Sequence, residues 1–320
     1  MTANETQKTC IPQAGERIDI LLGGTDPAEL EQLAAEFAAE FAAENVLRRP
    51  DFIRLTNVPA ECLTEELRAR ALESRIDLIA LAPGLSLRDF RVACFDMDST
   101  LIQNECIDDM AAIVGRGREV AEMTRLAMEG HLPFAENLRR RVRCLVGADG
   151  TIFEKTIAGL KPTPFAAEWI AMLNENGIRT YILTGGFAEI ARVVAERYGM
   201  TGFVSNRLGL NADGSLSGEV TGPAGGKILD ADGKRRAVEV LAEAADAPLS
   251  AVICGGDGAN DLEMIGAAGF GFAYHGKPVV AAAARHAVRF GDFRTVAHCF
   301  VEAWPELSEG TCACAAPSSN

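Results

Sequence analysis

Val92-Ala93-Cys94-Phe95-Asp96-Met97-Asp98-Ser99-Thr100 decides how the rest of this 320-residue chain is read. Four apolar residues make a short buried strand that ends abruptly in two carboxylates at i and i+2. Extended chain turns alternate side chains to one face, so Asp96 and Asp98 point into one site. In open α/β sheets, ligands bind at the carboxyl ends of the strands. Two like charges this close repel and lose hydration badly. A hard divalent cation with oxygen ligands, Mg²⁺ for a phosphate substrate, relieves that. An Asx-turn capping the next helix accounts for one of the two aspartates but not for both.

Two further strand ends have the same character. Gly255-Gly256-Asp257-Gly258-Ala259-Asn260-Asp261 follows the apolar run Ala251–Cys254 and opens a helix. Its glycines let backbone approach a ligand, although acidic residues also suit a helix start through the dipole alone. Thr184-Gly185-Gly186-Phe187 follows Thr180–Leu183. A hydroxyl with backbone N–H groups at a helix N-terminus makes a phosphate cradle.

Strands at 92–95, 180–183, 251–254 and 270–273 alternate with helices such as Phe187–Tyr198, the signature of a parallel α/β sheet. About 85 residues separate the first two strands, where a crossover needs only a dozen or so. The excess, roughly 103–161, carries helical patterns at Glu119–Glu129 and Phe134–Val146 and reads as a helical cap inserted over the sheet's carboxyl edge. Before it, residues 1–84 read as a small α+β domain of βαβαβ character. Its strands are at 17–22, 52–56 and 76–81, and its helices at 27–45 and 64–74. Pro83-Gly84 marks the boundary. Residues 85–309 form the larger domain, and 310–320, with Cys312 and Cys314, read as a disordered tail.

Composition narrows the function classes. The net charge of -14 disfavours nucleic acid as a partner. An anionic substrate therefore needs a local cation or basic side chains. No apolar run approaches the ~18 residues of a membrane span. No secretory pattern opens the chain, and nine scattered cysteines fit reduced thiols. A cytoplasmic protein without membrane or nucleic-acid partners is expected.

Together, Asp-x-Asp, Thr-Gly-Gly and Gly-Asp-Gly-x-Asn-Asp at three successive strand ends resemble the haloacid dehalogenase superfamily of phosphohydrolases. The likeness is closer to its phosphoserine phosphatase members and covers about 91–300. It is carried by Asp98 through Asp108, by Met128-Glu129-Gly130, and by Phe134 with Leu138-Arg139-Arg140-Arg141-Val142. Gly255 through Leu262 and Ala273-Tyr274-His275-Gly276-Lys277-Pro278 add to it.

The resemblance implies a Rossmann-like sheet with a cap, and a Mg²⁺-dependent phosphomonoesterase hydrolysing O-phosphoserine, the last step of serine biosynthesis. It makes Asp96 the nucleophile that becomes an aspartyl-phosphate and Asp98 the general acid and base. Mg²⁺ would lie on the Asp96 carboxylate, the Asp98 carbonyl and Asp257, with Asp261 behind them. Thr184, Gly185, Lys234 and Asn260 would face the phosphate. Glu105 would take the substrate ammonium and Arg141 its carboxylate, under an apolar lid of Met128 and Phe134.

Two positions need comment. Thr184 stands where these phosphatases usually carry Ser, and Lys227 lies close to the preferred Lys234. Phosphothreonine or phosphohomoserine as substrate, a phosphotransferase activity, and a small-molecule-sensing regulatory protein are the competing readings. The last draws on the amino-terminal domain, since such additions in related phosphatases are often ACT-like. A homodimer through that domain is also expected.

Overall fold

The computed structural model describes residues 16–41, 43–128 and 133–308. The first fifteen residues, Glu129, Gly130 and the tail from 309, including Cys312 and Cys314, lie outside the described residues. The chain forms two compact units: residues up to Asp89 together with those from Arg285 onward, and Phe90–Ala284. The carboxy-terminal segment, placed by the sequence with the larger domain, thus groups with the amino-terminal one.

The smaller unit runs β1 (Arg17–Gly23), α1 (Pro27–Phe41), β2 (Asn45–Arg49), β3 (Phe52–Pro59), α2 (Glu65–Glu73) and β4 (Asp77–Leu81). Its sheet is antiparallel, in the order β2-β3-β1-β4. This is the βαββαβ, ferredoxin-like arrangement. It differs from the expected βαβαβ by β2, a short strand paired with β3 that interrupts the end of the long helical pattern. Thr64 caps α2 by accepting the Leu67 N–H at 3.3 Å. Alternation sorts the sheet's faces. Ile18, Ile20, Leu22, Ile53 and Leu55 pack with Leu30, Leu33 and Phe37 of α1 in one core.

The sheet's other side carries Asp19, Leu21 and Arg54, all buried, and it meets the carboxy-terminal return. Phe52 stacks on His298 at 4.1 Å. Arg54 Nη1 donates to the Cys299 carbonyl at 3.1 Å. At the end of the sheet, Asp77 accepts the backbone N–H groups of Arg289 and Gly291 at 2.7 and 2.8 Å. Buried Asp19 and Arg54 need polar partners in place of water, and the returning segment supplies the Cys299 carbonyl to Arg54.

In the larger unit, β5 (Val92–Phe95) is followed by four cap helices: α3 (Cys106–Ile113), α4 (Gly117–Met128), α5 (Phe134–Arg143) and α6 (Thr151–Ala158). Then come α7 (Ala166–Glu175), β6 (Arg179–Phe187), α8 (Ala188–Tyr198), β7 (Gly202–Leu210) and β8 (Leu216–Thr221). The unit ends with α9 (Ala231–Ala244), β9 (Val252–Gly256), α10 (Leu262–Ala267), β10 (Phe270–Tyr274) and α11 (Pro278–Ala283). Within this unit the strands run in the order β10-β9-β5-β6-β7-β8, parallel except for β8. The hairpin β7–β8 was not expected from the sequence.

Val92, Cys94, Leu183, Val252 and Cys254 pack with Val238 and Ala242 of α9 and Met264 of α10. The cap closes at its neck. Gln103 N–H meets the Lys161 carbonyl at 2.9 Å, and Ile102 bridges to Pro162. A second tether joins it to the hairpin, where Leu216 exchanges backbone bonds with Gly147 and Ala148 at 2.9 and 2.8 Å. Among the described residues, no helix is long and apolar enough to cross a membrane.

Candidate active site

Parallel β5, β6 and β9 are neighbours, so the three motif-bearing strand ends converge at one edge. Asp96 leaves β5 with its N–H on the Gly255 carbonyl at 3.0 Å. The chain then turns through Ser99, which holds a left-handed φ of 54°, a strained state that non-glycine residues keep only when their surroundings enforce it. Asp98 is fixed by the Cys106 N–H, which donates to its Oδ1 at 2.9 Å.

Lys234 is the buried cation of the site. Asp230 caps α9 through the Gly233 N–H at 3.0 Å, which sets the register that turns Lys234 inward. Its Nζ lies 2.8 Å from Asp96 Oδ1 and 2.6 Å from Asp261 Oδ1. Burial acts to lower its pKa, but Asp261 and Asp96 raise it above the ordinary lysine range. Lys227 is exposed.

The carboxylates outnumber the cations. Burial, and then Glu105 and Asp96, push Asp98 up to about 7 against the pull of the Cys106 bond. Burial raises Asp257 and Asp261 as well, with Asp96 adding to both and Lys234 opposing. Oxygens of Asp96, Asp257 and Asp261 lie within 4.8 Å of one another. That is the crowding of hard, desolvated oxygen donors that a small divalent cation relieves, so the residues present fit a metal. Asp261 spends Oδ1 on Lys234 and Oδ2 on the Gly258 N–H at 2.9 Å. It is therefore placed to orient the cluster from behind.

The β6–β7 register slips between Thr184 and Phe187, and this irregularity exposes the Gly185-Gly186 backbone to the site. Gly186 N–H donates to Thr184 Oγ1 at 2.8 Å, leaving the hydroxyl proton free to point elsewhere. Phe134, first residue of α5, lies over Gly185: a methyl there would meet its Cζ at 2.7 Å. Met128 ends α4, and its side chain lies outside the described residues. Asn260 sits half-buried in the turn after β9.

Helical periodicity turns Arg141 inward while Arg139 and Arg140 stay exposed. Its Nε is buried without a hydrogen-bond partner, in the field of Asp108, Glu105 and Asp98. Glu105 accepts from Ser99 Oγ at 2.8 Å. Asp108, one turn along α3, was given no role from the sequence. Burial raises its pKa and Arg141 opposes that, and its Oδ1 is also without a partner. Asn206 was missed too: a lone asparagine in a strand carries no motif.

Residues 90–269 match the model of the haloacid dehalogenase-like hydrolases. The chain belongs to this family. The chain is 39% identical over 242 residues to the phosphoserine phosphatase of Streptomyces coelicolor, covering 76% of this chain and 58% of the relative. It is 37% identical over 205 residues to that of Idiomarina loihiensis, covering 64% and 91%. A solved structure of a probable phosphoserine phosphatase from Vibrio cholerae superposes with a TM-score of 0.75 at 31% identity, covering 95% of this chain and 92% of that one. The chain spans just over half the length of its S. coelicolor, Mycobacterium tuberculosis and V. cholerae relatives.

Proposed function

We propose that this hydrolase is a Mg²⁺-dependent phosphoserine phosphatase that works through a phosphorylated Asp96. The observation that carries the reading is Lys234 clamped between Asp96 and Asp261 at 2.8 and 2.6 Å, beside Asp98 and Asp257, which burial and neighbouring carboxylates raise. The relatives named as phosphoserine phosphatases support the substrate.

Asp96, aimed by Lys234, attacks phosphorus as the bond to the seryl oxygen breaks. Asp98, near 7, has a proton to give that oxygen at neutral pH. Once serine leaves, the Asp98 carboxylate takes a proton from the water that cleaves the aspartyl-phosphate. Thr184, Gly185, Lys234 and Asn260 bind the phosphoryl oxygens. Asp96, Asp257 and the Asp98 carbonyl would hold Mg²⁺, which when bound offsets the charge of carboxylate and phosphate. In the cap, the unpartnered Arg141 Nε takes the substrate carboxylate and Glu105 its ammonium. Phe134, with Met128, excludes water.

We also infer a cytoplasmic enzyme that dimerises through the ferredoxin-like unit, without nucleic-acid partners. Sedimentation of the full chain tests the dimer; a monomer removes it. The activity test is phosphate release from O-phospho-L-serine, O-phospho-L-threonine, phosphohomoserine and an aryl phosphate, with and without Mg²⁺. A Mg²⁺-dependent preference for phosphoserine is expected. Turnover of the aryl phosphate alone keeps the chemistry and overturns the roles of Glu105 and Arg141.

A further inference from the structure

Resting on the phosphatase reading above, we propose that Asn206 of β7 is a positioning residue that sets the phosphate cradle and the lysine arm from one side chain. It is fully buried. Its Nδ2 donates to the Gly185 carbonyl at 2.8 Å, and its Oδ1 accepts the Leu229 N–H at 2.8 Å. The two partners fix the amide's orientation, since one offers only an acceptor and the other only a donor.

The first bond falls where the β6–β7 register slips. There the Gly185-Gly186 peptide is pinned at both ends, its oxygen by Asn206 and its N–H by Thr184 Oγ1 at 2.8 Å. A Thr184 oxygen that accepts this N–H must turn its proton away from it, toward the phosphate position. The second bond holds Leu229, directly before Asp230, the residue that caps the helix bearing Lys234. Asn206 touches neither substrate nor metal ligands in the geometry described, yet both phosphate-facing devices hang from it.

Asn206→Asp separates the two arms. It keeps an acceptor for Leu229 and replaces the donor to Gly185 with a repelling oxygen. The test measures KM, kcat and the inhibition constant of inorganic phosphate with Mg²⁺ saturating, beside the unfolding midpoint. We expect KM and the phosphate constant to rise about 10- to 100-fold, the usual cost of removing a group that orients a site. In a Thr184→Val background the same change adds little, because the hydroxyl it orients is gone. A folded Asn206→Asp protein with unchanged phosphate inhibition overturns the inference, as does an equal loss in both backgrounds. Should that variant not fold, Asn206→Gln, which displaces both arms, should raise KM and the phosphate constant in both backgrounds, and unchanged phosphate inhibition overturns the inference. A wild-type chain that releases no phosphate from any ester sinks the phosphatase reading itself; an active wild type with an indifferent Asn206→Asp sinks only the inference.

Discussion

Among the described residues, each unit of this protein fully buries one lysine or arginine, and the two are balanced differently. Arg54, in the smaller unit, gives Nε and Nη2 to Asp19 Oδ2 at 3.2 and 2.7 Å and Nη1 to the Cys299 carbonyl at 3.1 Å. Asp19 completes its set with the Asn57 N–H at 3.0 Å. One positive charge meets one negative charge. Lys234, in the larger unit, serves both Asp96 and Asp261, with Asp257 and Asp98 close by and raised by burial and by their neighbours. A buried pair with every group satisfied is scaffold. A buried cluster with more carboxylates than cations has the donor set of a cation site.

The sharpest break of this contrast is Asp96→Asn. Turnover should fall about six orders of magnitude, as when a nucleophile is removed, while the unfolding midpoint holds or rises because a surplus charge has gone. Parallel kinetics and denaturant unfolding check both halves. Next is Asp19→Asn, which strands Arg54. It should cost about 3–5 kcal/mol of stability, with activity per folded molecule unchanged; loss of activity without loss of stability would undo the comparison.

Metal removal should separate the units without mutation. Mg²⁺ at a hundred times its dissociation constant should stabilise the wild type by about 2.7 kcal/mol, and Asp257→Asn should abolish that response in a thermal scan. In the cap, Arg141→Lys and Asp108→Asn should each raise KM for phosphoserine about tenfold and leave an aryl phosphate nearly untouched. The smallest effect is expected for Gly185→Ala, where Phe134 must shift. A loss of turnover below about tenfold would fit an overpacked contact.

Most of the larger unit could be read from sequence because its chemistry sits at strand ends. Asp96 and Thr184 follow an apolar run directly and Asp257 follows one across two glycines, so three local patterns located one edge. Lys234 needed the family likeness, since nothing local distinguishes it from Lys227 except the turn that Asp230 caps. The hairpin β7–β8 was hidden by its polar turn, Asn211 to Ser215, and β2 by an arginine pair at an edge strand. Alternation alone sets Arg54 on the face opposite Ile53 and Leu55. Only the covering segment, far along the chain, makes its side the inside. Pairings between distant segments leave no periodic trace in either one, and Asn206 shares that limitation.

The return of the carboxy-terminal segment also orders events during synthesis. The Cys299 carbonyl that completes the shell of Arg54 lies 245 residues further along the chain. At ribosomal speeds of about 5–20 residues per second, the wait is on the order of 10 to 50 s. The larger unit is contiguous and can fold as it emerges, so the strands made first are finished last. Nascent chains stalled near Ala284 should resist protease across the larger unit and be cut within residues 17–81. Protection of both stretches would mean that the first strands hold without their late partner.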